Sequence, residues 1–144
     1  RNLFVHAGLS ARLLERDLEM DTLNARMSEG LYRTSKERRE DPTLEFLYRS
    51  AGPVWYRGMV CTDEKYDPLT PEQTDALLRR YDADRLLVGH TIFPDISTFH
   101  DGRVIAVNVQ NELNRRKNRG RAVLIEGSRI SVVGNRGVKR VLEE

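Results

Sequence analysis

The sequence predicts a mixed α/β domain that turns into an antiparallel meander toward its C-terminal end. Three observations carry this. Two runs of β-formers, Leu3-Phe4-Val5 and Leu86-Leu87-Val88, have the continuous apolar character of strands covered on both faces. The stretch between them carries apolar residues at helical spacing. After His90 the apolar runs become short and are separated by hairpin-type turn signals.

Composition narrows the class. The 144 residues fit one domain with a real core, and 39% hydrophobic with 32% charged residues is ordinary for a globular chain. No apolar run approaches the ~20 residues of a membrane span, and no signal-peptide pattern is visible. A net charge of +2 is too small to point to nucleic acid, so neither a membrane nor a nucleic-acid partner is expected. The single Cys61 excludes an internal disulfide and fits a reducing compartment such as the cytoplasm. Cys61 has no neighbouring His and reads as a small packing residue. The chain opens at Arg1 and enters an apolar strand at once, which reads as the later part of a longer protein, with residues 1–144 forming a single domain. A complete domain released from a tag is the alternative.

The elements follow in order. Leu3-Phe4-Val5 is the first strand. Ser10 is a candidate N-cap for a long helical region with Leu14, Leu18, Leu23, Met27 and Leu31 on one stripe, weakened at Gly30. Residues 33–42 are a charged, solvated stretch broken at Asp41-Pro42, and Thr43 to Tyr48 is a short second helix. Residues 51–60 form an extended loop holding the only Trp, Trp55. Thr70-Pro71-Glu72-Gln73 starts a helix, with Thr70 as N-cap, Pro71 at the first position and Gln73 completing a capping box. That helix offers Ala76, Leu77 and Tyr81 to the core and hands over to the strand Arg85 to Val88. Ile96–Phe99, Arg103–Val109, Ala122–Ile125 and Ile130–Val133 are the expected meander, with turns at Asp101-Gly102, Gly120 and Glu126-Gly127-Ser128; Val138–Leu142 adds an edge strand. The basic cluster Arg115-Arg116-Lys117-Asn118-Arg119-Gly120-Arg121 reads as a solvated, mobile connection between strands, with an anion-steering loop as the alternative.

Two of the three histidines end the apolar strands: Asn2-Leu3-Phe4-Val5-His6-Ala7-Gly8-Leu9-Ser10 and Arg85-Leu86-Leu87-Val88-Gly89-His90-Thr91. Small residues beside each His leave room for a ligand. Two neutral imidazoles converging at strand ends are half of a catalytic metal site, because imidazole suits Zn, Mn, Fe and Ni. His100, before the Asp101-Gly102 turn, reads as a surface turn residue.

Phe4-Val5-His6-Ala7-Gly8-Leu9-Ser10 resembles the Val-His-Gly-Gly-(Ile/Leu)-Ser motif of calcineurin-like metallophosphoesterases, and Leu87-Val88-Gly89-His90-Thr91 their Val-Val-Gly-His-Thr motif. Between them, Gly52-Pro53-Val54-Trp55-Tyr56-Arg57-Gly58 is similar to a Pro-(Val/Leu)-Trp-Tyr-Arg-Gly segment of bacterial, Shewanella-like members of the phosphoprotein-phosphatase branch. The resemblance covers residues 2 to about 110. It implies the C-terminal half of a two-sheet sandwich flanked by helices, and a dinuclear centre of two divalent ions (Mn, Fe, Zn or Ni) that hydrolyses phosphate monoesters, the substrate being a small ester or a phosphoprotein. On that reading His6 and His90 bind one metal and Arg57 grips the phosphate, although stacking of Arg57 on Trp55 or Tyr56 competes as a purely structural role.

The departures are also informative. The family's Asp-x-His, Gly-Asp-x-x-Asp-Arg-Gly and Gly-Asn-His-Glu motifs, which supply the remaining ligands and the catalytic acid His, are absent from the sequence. Ala7 stands in place of a Gly. Ile92 stands where many relatives carry a further His, as suits the phosphoprotein-phosphatase branch. No catalytic residue is therefore expected in this chain, which alone should be inactive and free to bind no metal. With part of each sheet lacking, it should self-associate through exposed edges. A non-catalytic binding or scaffold module that keeps a phosphatase-like fold is the alternative function.

Overall fold

The backbone of the molecule is a four-stranded sheet in the order β1-β2-β4-β3. The structure, a computed structural model, describes residues 1–143. Strands β1 (Asn2–Val5) and β2 (Arg85–Val88) run parallel, with Leu3 opposite Leu86 and Val5 opposite Val88. A parallel pair demands a crossover rather than a hairpin. That crossover contains α1 (Met20–Leu31), α2 (Ser35–Glu40), α3 (Pro42–Tyr48) and α4 (Pro71–Arg80). On the other side of β2, β4 (Val104–Ala106) is also parallel, and β3 (Ser97–Phe99) closes the sheet antiparallel to β4.

The central strands are apolar without alternation because both faces are covered. Leu86, Val88, Val104 and Ala106 join Leu13, Leu47 and Leu77 in the core under the helices. Leu87 and Ile105 point the other way and pack with Ile130 and Val132. Those two belong to a second, antiparallel sheet of β5 (Ala122–Glu126), β6 (Arg129–Gly134) and β7 (Gly137–Glu143). Its hairpins turn at Gly127 and Gly137, with φ of 63° and 93°. The result is a mixed α/β fold with two sheets and flanking helices. Among the described residues, no helix is long and apolar enough to cross a membrane.

Several expectations need correction. The long helix from Ser10 does not form. A 3₁₀ turn spans Ala11–Leu13, the fully buried Ser10 hydroxyl donates to the Ala51 carbonyl at 2.7 Å, and the helix proper starts only at Met20. A buried hydroxyl takes the partner the tertiary fold offers, and here that partner is not a helix N-terminus. Gly30 does not weaken α1 to no purpose: the Tyr48 ring lies where a Cβ would stand. The charged stretch holds its own short helix, α2, under a Thr34–Glu37 capping box. The Asp41-Pro42 break is real, because Asp41 accepts from the Thr43 and Leu44 amides at 2.9 and 3.0 Å and starts α3. The α4 capping box is present as read, with Gln73 N donating to Thr70 Oγ1 at 3.2 Å and Thr70 N to Gln73 Oε1 at 2.9 Å.

The meander is shorter than expected. Its first two strands join the main sheet instead, and a helix α5 (Asn111–Arg116) occupies part of the presumed connection. Nor is the basic cluster simply loose. Arg119 donates twice to Asn114 Oδ1, at 3.1 and 3.0 Å, and Arg121 Nε lies 3.0 Å from both Asp95 oxygens.

Candidate functional site

Parallel strands deliver whatever follows them to the same end of a sheet, where open α/β sheets bind ligands. His6 follows β1 directly and His90 follows β2 after one residue, and the Gly89 amide donates to the His6 carbonyl at 2.9 Å. The two rings therefore meet. His6 Nε2 lies 3.2 Å from His90 Nδ1, with ring centroids 5.0 Å apart. His90 adopts this position in the left-handed region, at φ 59°. A β-carbon makes that region costly.

The loop carrying Arg57 is clamped beneath. The Ala7 amide donates to the Pro53 carbonyl at 2.9 Å, and a Cβ on Gly8 would stand 2.9 Å from the Tyr56 carbonyl. The small residues after His6 thus make room for this loop rather than for a ligand, contrary to the sequence expectation. Buried Tyr56 anchors the loop by donating its hydroxyl to the Asp67 carbonyl, and burial pushes that phenol well above its usual range. Arg57 is then held at the rings, Nη2 to His90 Nε2 at 3.0 Å. Its guanidinium stacks on neither Trp55 nor Tyr56; the nearest aromatic face is Tyr66, 5.9 Å away. Trp55 instead stands edge-on to His90, centroids 5.2 Å apart.

These contacts fix the protons. A guanidinium only donates, so His90 Nε2 is the acceptor and the neutral ring carries its proton on Nδ1. That proton points at His6 Nε2. Burial, then Arg57 and His6, hold the His90 pKa below its ordinary value, so the ring is neutral at pH 7. Among the described residues Arg57 makes no ion pair.

The donor set can be tested against a metal. Two nitrogens bound at about 2.1 Å to one ion lie roughly 3.0–3.4 Å apart for angles between a right angle and tetrahedral. The 3.2 Å separation of His6 and His90 falls in that range. The fit is to part of a coordination shell: among the described residues no group of three or more His, Cys, Asp or Glu could hold an ion.

Sequence reasoning missed Trp55 as a wall of the site, and also Lys65 and Tyr66. These residues line a groove of about 760 Å³ that runs from Arg57. The available signal was the placement of the only Trp two residues before Arg57. His100 is a correction too. It ties the β3–β4 turn to the body, Nε2 to the Met59 carbonyl at 3.1 Å and Nδ1 to the buried Thr74 Oγ1 at 3.2 Å.

Comparison with known proteins agrees with the architecture. A cold-active protein tyrosine phosphatase superposes on 97% of this chain with a TM-score of 0.83 and 26% sequence identity. The cold-active protein-tyrosine phosphatase of a psychrophilic Shewanella sp. matches 98% of it, with a TM-score of 0.84 and 26% identity. The chain has a phosphatase fold. It spans only 39% and 40% of the length of those two phosphatases. No family model matches the chain, and no curated protein matches it.

Proposed function

We propose that this chain is part of a metal-dependent phosphatase of the calcineurin-like metallophosphoesterase family, and that it hydrolyses phosphate monoesters, phosphoproteins among them, only together with segments outside residues 1–144. One observation carries the reading: His6 and His90 turn facing ring nitrogens toward one point 3.2 Å across, with an unpaired guanidinium alongside. The likeness to protein tyrosine phosphatases supports the reaction class. On this reading the chain forms the C-terminal part of a two-sheet sandwich. Two divalent ions (Mn, Fe, Zn or Ni), when bound, would supply Lewis acidity at the phosphoryl oxygens.

The chain's own residues have defined tasks. His6 offers Nε2 and His90 offers Nδ1. For both to serve one cation, the His90 proton must leave Nδ1, and if it moves to Nε2, Arg57 must turn away. That turn releases a planar fork with two parallel N–H groups for phosphate oxygens. Trp55 walls the position next to it. The remaining ligands and the acid that protonates the leaving group would come from the segments outside. The outer edge of β1 supports such docking: Phe4 is 67% exposed, and open hollows lined by Phe4, Val5 and His6 flank it on both sides. The same edge is where the isolated chain should self-associate.

The decisive experiment uses a protein that includes the segments outside this chain. Hydrolysis of p-nitrophenyl phosphate should disappear with EDTA and return with metal, and His90→Ala should lower kcat/KM by about 100-fold or more. The 144-residue chain alone should show no turnover, while added Mn²⁺ broadens its His6 and His90 ring resonances selectively. Full activity in EDTA overturns the metal reading. Binding of phosphorylated ligands with no hydrolysis in the longer protein would point to the scaffold module.

A further inference from the structure

We propose that the groove leading away from Arg57 binds the residues flanking the phosphorylated side chain and selects acidic peptides. This rests on the phosphatase reading of His6, His90 and Arg57. The groove has about 760 Å³ of space. Its walls carry Arg12, Arg49 and Lys65 in addition to Arg57, against a single carboxylate among the described residues, Asp67. The three outer cations have side chains 62%, 65% and 63% exposed, with Arg12 Nε 3.9 Å from Asp67, Arg49 Nη2 3.4 Å from Glu45 and Lys65 Nζ 2.9 Å from Asp63. Such exposed pairs contribute little, so a ligand carboxylate can replace the partner at small cost. Glu45 and Asp63 stand outside the groove wall, which leaves the inner surface cationic.

The aromatic residues give this surface its direction. Trp55 is half exposed and meets His90 edge-on, so a side chain whose phosphate reaches Arg57 passes along Trp55. Tyr66 offers its ring face to Lys65, whose Nζ lies 4.9 Å from the centroid, with Arg57 Cζ farther off at 5.9 Å. A phosphorylated side chain seated at Arg57 therefore places its neighbouring residues against Arg12, Arg49 and Lys65. Carboxylates at those neighbours are attracted and lysines repelled.

Trp55 is the only Trp, so its emission reports the groove directly. The chain is titrated with free phosphotyrosine, with a phosphotyrosine peptide flanked by Glu, with the same peptide flanked by Gln, and with the unphosphorylated Glu peptide. Three exposed ion pairs, each worth about a two- to threefold gain, predict roughly tenfold tighter binding of the Glu-flanked phosphopeptide than of the Gln-flanked one. The advantage should shrink in about 0.5 M salt. It should vanish in Arg12→Gln/Arg49→Gln/Lys65→Gln, and Arg49→Gln alone should remove about a two- to threefold share should the triple variant not fold. Equal affinity for the Glu- and Gln-flanked phosphopeptides overturns the groove assignment and leaves the phosphate reading intact. Binding of the Glu peptide with or without phosphate, and unaffected by Arg57→Ala, keeps the groove and counts against the phosphatase reading. Silence of every ligand overturns the groove, and the phosphatase reading then stands or falls on the metal experiment.

Discussion

His90 and His100 share a backbone conformation and differ in everything that faces their rings. Both are left-handed, at φ 59° and 51°. The His100 ring spends its two nitrogens on a backbone carbonyl and a buried hydroxyl, joining the β3–β4 turn to α4 and to the loop after Arg57. His90 spends its own on a second imidazole and a guanidinium. Arg121 and Arg57 repeat the contrast. Arg121, with its side chain only 11% exposed, is neutralised by Asp95, whereas Arg57 meets the His90 imidazole and, among the described residues, makes no ion pair. Partners that belong to the scaffold mark a tie. Partners that are themselves reactive groups mark a site, because such an arrangement adds little to stability.

The comparison can be broken by glycine. Gly relieves the left-handed strain at either position, worth about 1 kcal/mol. At His100 the lost hydrogen bonds, about 1 kcal/mol each, outweigh that relief, so His100→Gly should lower stability by about 1 kcal/mol net. At His90 the two lost contacts join more exposed side chains and count for less than the relief, so His90→Gly should raise stability by up to about 1 kcal/mol while abolishing the Mn²⁺ effect on the rings. Urea midpoints of the two variants decide it. Opposite signs sharpen the distinction, and a loss of stability in both erases it.

The arginine pair predicts a similar difference. Asp95→Ala leaves a largely buried guanidinium without its carboxylate and should cost about 2 kcal/mol. Arg57→Ala should leave the unfolding free energy within about 0.5 kcal/mol of the parent, because among the described residues it removes no ion pair. Equal losses in the two variants would make Arg57 a structural residue.

The smallest effect is on pH. Burial, Arg57 and His6 hold the folded His90 pKa below its unfolded value of about 6.5, so between those two values the unfolded chain binds the extra proton. Stability should therefore fall as pH is lowered through about 6.5 toward the folded pKa, and remain unaffected by this group above it. His90→Gly should lose that part of the pH dependence. Ring NMR titration should place the His90 midpoint below the ordinary range, and Arg57→Ala should move it back up.

Much of this was legible in the order of residues. The apolar runs ending in His6 and His90 marked two strands whose parallel pairing brings their ends together, but only β2 is buried: β1 lies at the sheet edge with Phe4 67% exposed, contrary to the expectation of a strand covered on both faces. The Thr70-Pro71-Glu72-Gln73 capping box and the Asp41-Pro42 break are local chemistry, decided within a turn of chain, and both formed where the sequence placed them. Ser10 failed as a cap because its hydroxyl had a distant partner, the Ala51 carbonyl, that no local rule could foresee.

What only the tertiary structure decided is which groups share space across the crossover. Strand propensity made Ile96–Phe99 and the run after Arg103 a hairpin, but burial of Val104–Ala106 on both faces sent that hairpin into the main sheet. The motifs placed His6, His90 and Arg57 on strands and loops. The direction of the His90 proton and the swing it demands of Arg57 come from distances of 3.2 and 3.0 Å between residues far apart in the chain. So does the cationic groove, whose residues come from four separate turns and short helices and carry no spacing that a linear reading could detect. Local preferences act over a few residues, whereas ring orientation, proton position and the sign of a surface arise from packing, which only the folded chain completes.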